Sequence, residues 1–196
     1  MNRIGLLGGS FDPPHKGHLY ISLEAKKILS LDEIWWLITP KNPLKINNPA
    51  TYEERKKNCY KICRNFPIKI KEIEKKINSS YSYKTIKYLK KHYQHQKFFW
   101  LMGSDNLINF HKWENWRKIF QEISIIVFKR QGYNDKALNS ITKKTFSNYH
   151  IKYNHMLLTN FEILPSWCFL NNYEIKISSS DIRNQREKLR SLNHSN

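Results

Sequence analysis

The amino-acid sequence predicts an α/β fold with a doubly wound, mostly parallel sheet. Four continuous apolar runs occur along the chain, and such runs are typical of parallel strands that are buried on both faces. Three of the runs are followed by stretches in which apolar residues recur at helical spacing. Alternation of buried strands and helices is the pattern of a parallel sheet covered by helices.

The four apolar runs are the predicted central strands. They lie at Ile4–Leu7, Ile34–Ile38, Phe98–Met102 and Ile123–Phe128. The first run ends at two glycines and the third at Gly103, so both strands are expected to leave the sheet into tight loops. A further short strand is predicted between Pro67 and Ile73.

Helices are predicted between these strands. They run from Gly17 to Leu29, from Thr51 to about Arg64, from Ser82 to His92, and in one stretch after Asp105 that reaches Phe120. The Thr51–Glu54 segment has the form of a capping box, which marks a helix start. The loop from Thr39 to Pro49 is too long for a simple connection and is a candidate ligand-binding loop. Residues Asp135 to Tyr153 are polar and poorly periodic, and a charged C-terminal helix is expected at about 181–192.

Length and composition indicate a single domain, residues 1–196, with an anionic partner. The chain has 34 Lys+Arg and 16 Asp+Glu, a formal net charge of +18. Such a charge suits nucleic acid and phosphorylated small molecules equally, so basicity alone does not favour nucleic acid. No run reaches the roughly 18 apolar residues of a membrane span. The three cysteines have no metal-binding spacing, and we therefore expect reduced thiols in a cytoplasmic protein.

The segment Gly8–His18 combines features that favour phosphate binding. Gly8 and Gly9 let a ligand approach the backbone closely, and the N-terminus of the following helix favours anions. His15 and His18 lie three residues apart, on one face of the first helical turn. The alternative is a simple turn followed by two surface imidazoles. Neither G-x-x-x-x-G-K-S/T nor G-x-G-x-x-G occurs, which argues against a P-loop hydrolase and an ordinary dinucleotide oxidoreductase.

The string Ile177–Arg183 is a second candidate phosphate site. Three serines at a predicted helix start bring hydroxyls and free N–H groups together, and Arg183 adds a guanidinium one turn later. The alternative is an ordinary serine N-cap with a solvent-exposed arginine. Together with Gly8–His18 the string becomes more specific, because both segments are expected to face the same triphosphate.

With these motifs the chain resembles the nucleotidylyltransferase superfamily, and specifically the bacterial nicotinate-nucleotide adenylyltransferases. The resemblance runs nearly the whole length of the chain. Besides the two terminal segments, it rests on Pro43-Leu44-Lys45, Glu54-Arg55, Ser82-Tyr83-Lys84-Thr85, Gly103-Ser104-Asp105-Asn106-Leu107, Phe110 and Trp113-x-x-Trp116. It implies a Rossmann-like domain of the type that carries the H-x-G-H signature, here His15-x-Gly17-His18.

The resemblance implies transfer of the adenylyl group of ATP to nicotinate mononucleotide, which gives nicotinate adenine dinucleotide and pyrophosphate in NAD biosynthesis. The implied catalytic residues are His15, His18 and Arg183. The implied ATP-binding residues are Gly8, Gly9, Ser10, Phe11, Lys45, Gly103, Asp105, Ser179 and Ser180. The implied acceptor-binding residues are Ser82, Thr85 and Trp113, whereas Trp116 is expected in the core. Mg²⁺ would be held mainly by the ATP phosphates rather than by a protein metal site.

The chain departs from the common pattern of this family in two places. Leu44 stands where many relatives have histidine, so Lys45 must contact phosphate without it, and only Asn184–Asn196 follow the last motif. Two alternatives stay open: an adenylyltransferase for nicotinamide mononucleotide or another phosphorylated acceptor, and, from a different class, a basic nucleic-acid-binding module. The residues leave the oligomeric state open as well.

Overall fold

The structure, a computed structural model, contains a six-stranded parallel sheet. It describes residues 1–41, 50–153, 163–175 and 179–184, with the backbone alone for residues 171–175. The strand order is β3-β2-β1-β4-β5-β6, and every neighbouring pair is parallel. The mostly parallel sheet that the apolar runs predict is therefore confirmed.

The strands and helices alternate along most of the chain. The strands are β1 (Asn2–Gly9), β2 (Glu33–Ile38), β3 (Ile68–Lys71), β4 (Gln96–Gly103), β5 (Ser124–Arg130) and β6 (Trp167–Ile175). The helices are α1 (Lys16–Ile28), α2 (Tyr52–Cys63), α3 (Ile73–Lys76), α4 (Ser82–His92), α5 (Ser104–Asn109), α6 (Trp116–Glu122), α7 (Asn134–Leu138) and α8 (Ile141–Thr145). Short 3-10 helices occupy Phe110–Lys112 and Ser147–Tyr149. Residues 179–184 are helical, and the remainder of the predicted C-terminal helix lies outside the described residues.

The predicted strands are confirmed, and the sheet contains one further strand that was not predicted. The four apolar runs correspond to β1, β2, β4 and β5, and the weaker strand is β3, although Ile73 begins α3 instead of ending that strand. The missed strand is β6, at the edge of the sheet beside β5. Its signal is the run of four apolar residues Trp167–Leu170, which follows a long segment without periodicity.

The helical stretch predicted after Asp105 is divided in the structure. α5 is followed by a 3-10 turn and then by α6, and the N-cap of α6, Asn115, has φ of 52°, in the left-handed region. This residue turns the chain between two short helices. The polar region Asp135–Tyr153 contains most of α7 and the whole of α8, of five residues each, which are too short to show a helical period in the sequence.

Side chains of the strands form an apolar core on each face of the sheet. On one face Leu6, Trp35 and Trp100 pack with residues of α4 and α6. On the other face Leu7 and Trp36 pack with residues of α1 and α2. Successive residues of a strand point to opposite faces, so the continuous apolar runs follow directly from burial on both sides.

The strand order places a crevice at the carboxyl end of β1. The chain proceeds from β1 outward to β2 and β3, then crosses back to β4 on the other side of β1. The loops after β1 and β4 therefore run in opposite directions, and in open α/β sheets ligands bind at such a reversal of strand order. The segment after β1 is the one that carries His15 and His18.

Arg55 of α2 holds the loops at this end of the sheet together. Its side chain is buried, with 1% exposed, and its guanidinium donates to four backbone carbonyls. Nη1 donates to the carbonyls of Ser10 (2.6 Å) and Thr39 (2.9 Å), Nη2 to that of Pro40 (2.9 Å), and Nε to that of Ala50 (3.0 Å). Three segments are thereby joined: the loop after β1, the end of β2 and the start of α2.

Replacing Arg55 is expected to destabilise the fold. Arg55→Met should lower the free energy of unfolding by about 3–5 kcal/mol, because it leaves buried carbonyl oxygens without donors. Arg55→Lys should be intermediate, since an ammonium lacks the planar fork of donors. The measurement is urea unfolding, with Arg64→Met, at an exposed position, as the control within about 0.5 kcal/mol of the wild type. An Arg55→Met protein as stable as the control would contradict this account.

Candidate active site

The two histidines of the H-x-G-H signature are fixed by backbone hydrogen bonds at the start of α1. His15 is the N-cap, and its Nδ1 accepts from the N–H of Gly17 at 3.1 Å. Nδ1 of His18 accepts from the N–H of His15, also at 3.1 Å. A backbone N–H can only donate, so each neutral imidazole carries its proton on Nε2. Both rings therefore offer an Nε2–H donor, and they lie together with centroids 3.8 Å apart.

Burial keeps His15 neutral. Its pKa is lowered from 6.5 to about 4, chiefly because burial disfavours the charged ring. The positive charge of Arg130 lowers the pKa further, and the negative charge of Asp181 opposes the shift. At neutral pH His15 is thus an uncharged hydrogen-bond donor, near the arginine at the end of β5 and a carboxylate of the C-terminal segment.

The aromatic ring of Phe11 packs against the ring of His18. Its side chain is buried and stacks on Trp36 with centroids 4.6 Å apart, and it lies 4.8 Å from the ring of His18. Its backbone has φ of 49°. Since the side chain points into the core, only the backbone of Phe11 is left for the ATP contact that the sequence analysis expects.

The structure brings the C-terminal motif onto the loop after β1. The hydroxyl of Ser179 donates to the carbonyl of Pro13 at 3.0 Å, across 166 residues of sequence. Arg183 donates from Nη1 to the carbonyl of Asp12 at 2.5 Å and from Nη2 to the hydroxyl of Ser180 at 3.1 Å. Ser179, Ser180 and Arg183 therefore lie beside the loop that leads to His15, as expected of two motifs that serve one ligand.

Aromatic side chains pack closely around the backbone at the end of β1. A Cβ atom on Gly8 would lie 3.0 Å from the ring of Trp100, whereas one on Gly9 would have ordinary contacts with Phe11. The carbonyl of Gly9 accepts from the N–H of Thr39 at 2.9 Å. Close packing explains the glycine at position 8. Gly8, Gly9 and Ser10 are all partly exposed at the end of β1.

Asp105 follows β4 and is paired with Arg130 from the end of β5. Their side chains are 2.5 Å apart, at Oδ2 and Nη1. The other oxygen, Oδ1, is buried and has no hydrogen-bond partner among the described residues. It lies only 2.5 Å from the place of a Cβ on Gly103, so any larger residue there would displace this carboxylate. Gly103 and Asp105 thus form one unit at the edge of the crevice.

The predicted acceptor residues occupy one face of the sheet, and they differ in exposure. Trp113 is half-buried, stacked on Phe110 at 4.6 Å and edge-on to Trp100 at 6.2 Å. Ser82 is half-buried in the first turn of α4. Trp116 is buried in the core, as expected.

Thr85 lies inside the protein and not at the surface of the crevice. It is fully buried, and its hydroxyl donates to the carbonyl of Tyr81 at 3.3 Å and faces Glu74. An interior hydroxyl does not present itself directly to a carboxylate in the crevice. Lys45 lies outside the described residues.

Three residues that organise the site are not marked as such by the sequence. Asp12 lies near both Arg183 and Arg55. Its negative charge stabilises the positive charge of Arg55. Arg55 was part of the resemblance but had no role assigned to it. Glu74 was not singled out, because it stands among Glu72, Lys75 and Lys76, a charge run that usually marks a solvated face. A buried carboxyl in such a run has no local signal.

The described part of the chain shows neither a metal cluster nor a membrane-spanning helix. It contains no group of three or more His, Cys, Asp or Glu side chains that could hold a metal ion. In the same part, no helix has the length and apolar character needed to cross a membrane.

Comparison with known proteins places the chain in a family. The model of the cytidylyltransferase-like family matches residues 6–185. A protein of Ruegeria sp. (strain TM1040) named "Probable nicotinate-nucleotide adenylyltransferase" is 43% identical over 180 residues, which cover 92% of this chain and 95% of that protein. A protein with the same name from Bradyrhizobium sp. (strain ORS 278) is 38% identical over 183 residues, 93% of this chain and 95% of its own.

The chain therefore belongs to the cytidylyltransferase-like family, and within it to the branch of the nicotinate-nucleotide adenylyltransferases. Among solved structures, it is similar to the Plasmodium falciparum nicotinic acid mononucleotide adenylyltransferase complexed with NaAD. The TM-score is 0.69 at 20% identity, over 94% of this chain and 83% of that one. At this identity the likeness concerns the fold, and it confirms the predicted Rossmann-like architecture.

The free energy of unfolding is expected to depend on pH through His15. Its folded pKa of about 4 lies below the ordinary value of 6.5, so the unfolded chain binds the proton more tightly. The stability that His15 contributes is therefore present above about pH 6.5 and is lost as the pH falls toward about 4. His15→Asn removes this titration and keeps the N-cap, because an Asn oxygen also accepts from a backbone N–H.

The measurement is urea unfolding of wild type and His15→Asn at about pH 5 and about pH 7.5. Titrations of other groups cancel in the difference between the two proteins. We expect the wild type to gain stability relative to the variant as the pH rises. An equal difference at both pH values would contradict a neutral His15 in the folded protein.

Proposed function

We propose that the chain transfers the adenylyl group of ATP to nicotinate mononucleotide. The observation that carries this proposal is the pair of Nε2–H donors on His15 and His18, placed at a helix start beside the segment of Arg183. Close relatives that span nearly the whole chain and carry this activity in their names support it. The product would be nicotinate adenine dinucleotide, with pyrophosphate as the second product.

The reaction is a displacement at phosphorus. An oxygen of the acceptor 5′-phosphate forms a bond to the α-phosphorus of ATP. The bond from that phosphorus to the oxygen bridging to the β-phosphate breaks, and its electron pair leaves with pyrophosphate. Negative charge is spread over the phosphate oxygens during this step, so the protein contributes positioning and electrostatic stabilisation. No covalent intermediate on the enzyme is needed.

The histidines suit this chemistry because they donate without changing charge. Their Nδ1 atoms are occupied by backbone N–H groups, which fixes the direction of each Nε2–H. Donors that are already oriented need no rearrangement when charge develops on the ligand. The dipole of α1, whose positive end lies at this turn, would add to the same field.

The C-terminal segment would hold the leaving group. Arg183 is anchored to the loop after β1 through the carbonyl of Asp12 and reaches the hydroxyl of Ser180. Its guanidinium, with the hydroxyls of Ser179 and Ser180, would bind oxygens of the departing pyrophosphate. This placement accounts for the meeting of two motifs from opposite ends of the sequence.

Mg²⁺ would enter the site as part of the ATP substrate. The described residues offer no group of three metal-ligating side chains, and Mg²⁺ commonly takes substrate phosphates as ligands. Bound to ATP, the ion would neutralise part of the triphosphate charge. The residues described above would then orient the triphosphate rather than the ion.

The adenosine and the acceptor would lie on opposite sides of the reacting phosphate. Oδ1 of Asp105, which lacks a partner among the described residues, suits a hydrogen bond from the adenosine ribose beside Gly103. Trp113 would stack on the pyridine ring of the acceptor. Ser82 would lie near its carboxylate, at the start of α4, where no described side chain caps the helix. Thr85, which is buried beneath this turn, would support the turn and not contact the acceptor directly.

The free state of the cysteines supports a cytoplasmic location for the protein. Cys59, Cys63 and Cys168 are free and buried. Free thiols are usual where the surroundings are reducing.

The proposal is tested by pyrophosphate release from ATP and Mg²⁺, with nicotinate mononucleotide and nicotinamide mononucleotide in parallel assays. We expect the nicotinate substrate to be strongly preferred, because free N–H groups at a helix start favour a carboxylate over an amide. Mass spectrometry identifies the dinucleotide. Equal use of both acceptors would overturn the acceptor assignment, and no release with either would overturn the proposed activity.

A further inference from the structure

Glu74 is a carboxyl group inside the protein. It lies in α3, between β3 and α4, and only 2% of it is exposed. Its carboxyl is hydrogen-bonded to the side chains of Thr39, at the end of β2, and Thr85, in the first turns of α4. Its Oε2 atom has no partner among the described residues. This buried carboxyl therefore links the end of β2 to the start of α4, two segments that flank the site.

The hydrogen bonds of Glu74 join it to two threonine hydroxyls. The hydroxyl of Thr85 lies between the carboxyl of Glu74 and the carbonyl of Tyr81, 3.3 Å from the latter. The hydroxyl of Thr39 is the second partner of the carboxyl. Because Oε2 has no partner among the described residues, both threonines are bound through Oε1.

Burial favours the neutral form of the Glu74 carboxyl. Burial raises the pKa of Glu74 to about 7, and the two hydroxyls oppose this only in part. The nearby charged groups are engaged elsewhere. Lys56 pairs with Glu72, Lys75 pairs with Glu53, Lys76 lies over the ring of Tyr88, and Lys71 lies over the ring of Trp35.

Thr39 connects Glu74 to the loop after β1. Its N–H donates to the carbonyl of Gly9 at 2.9 Å, and its carbonyl accepts from Arg55 at 2.9 Å. Its hydroxyl contacts Glu74. A continuous set of hydrogen bonds thus runs from the loop with His15 and His18, through Thr39 and Glu74, to the start of α4.

We propose that Glu74 is a positioning residue for the acceptor: its carboxyl bridges Thr39 and Thr85 and holds the first turn of α4 in place. The inference rests on the proposed function, which assigns Ser82 on this turn to the acceptor. An ionised Glu74 adds a negative charge behind the site of a carboxylate. Acceptor binding therefore weakens as Glu74 loses its proton. MgATP binding is expected to be unaffected, because the loop after β1 is held separately by the bond from Arg55 to the carbonyl of Ser10.

The test compares wild type, Glu74→Gln and Glu74→Ala in assays of kcat and of KM for nicotinate mononucleotide and MgATP, from about pH 6 to about pH 8.5. Glutamine keeps a donor and an acceptor without titrating. We expect the wild-type acceptor KM to rise with pH by about three- to tenfold relative to Glu74→Gln, whose KM matches the wild type at low pH. Glu74→Ala should show the raised acceptor KM at every pH, with the MgATP KM within about twofold of wild type.

Several results would overturn the proposal. One is an acceptor KM that is the same in all three proteins. Another is a Glu74→Ala protein that melts at a lower temperature but keeps the wild-type KM values, since this would indicate a purely structural role. Glu72→Gln, two residues away and engaged with Lys56, serves as the matched control and should behave as wild type.

Hydrogen exchange separates this proposal from the proposed function. If the wild type turned over no acceptor, the activity would be wrong, but Glu74→Ala should still speed amide exchange at Ser82–Thr85 and leave Gly8–Ser10 unchanged. Unchanged exchange at the start of α4 would overturn the positioning role whatever the substrate is.

Discussion

The loops of the site depend on one buried cation, the guanidinium of Arg55. Loop carbonyls at the end of a parallel sheet have no strand partner, and a buried carbonyl without a donor is costly. Arg55 supplies donors to the loop after β1, the end of β2 and the start of α2 at once. Because the guanidinium is planar, it also sets the spacing of these segments. Thr39 extends the same network through Glu74 to α4.

The charge of the chain says less about the site than its hydrogen bonds do. The net charge is +18, yet the donors nearest the expected reaction are the imidazoles of His15 and His18, each oriented by a backbone N–H. The arginines at the crevice are held in fixed positions by protein groups: Arg130 by Asp105, and Arg183 by the carbonyl of Asp12. Fixed donors and cations favour a defined phosphate geometry, whereas a diffuse basic surface would favour any polyanion.

Local patterns in the sequence predicted what depends on local interactions. The central strands appear as apolar runs because both faces are buried, and the His15–His18 arrangement is made by bonds that span two and three residues. The contact of Arg183 with Asp12 spans 171 residues, and only the resemblance to a family suggested it. Nothing local marks Glu74 as buried, because its position follows from how the short helix α3 packs on the sheet.

The central claim is that the two ends of the chain act on one triphosphate, and a double-mutant cycle tests it directly. The turnover of pyrophosphate release is measured for His18→Ala, Arg183→Ala and the double variant, with exposed His95→Ala as control. Each single change should lower turnover by about 10²–10³-fold. Groups that stabilise one transition state are strongly non-additive, so the double variant should lose far less than the product of the single losses. A loss equal to that product would contradict a shared triphosphate.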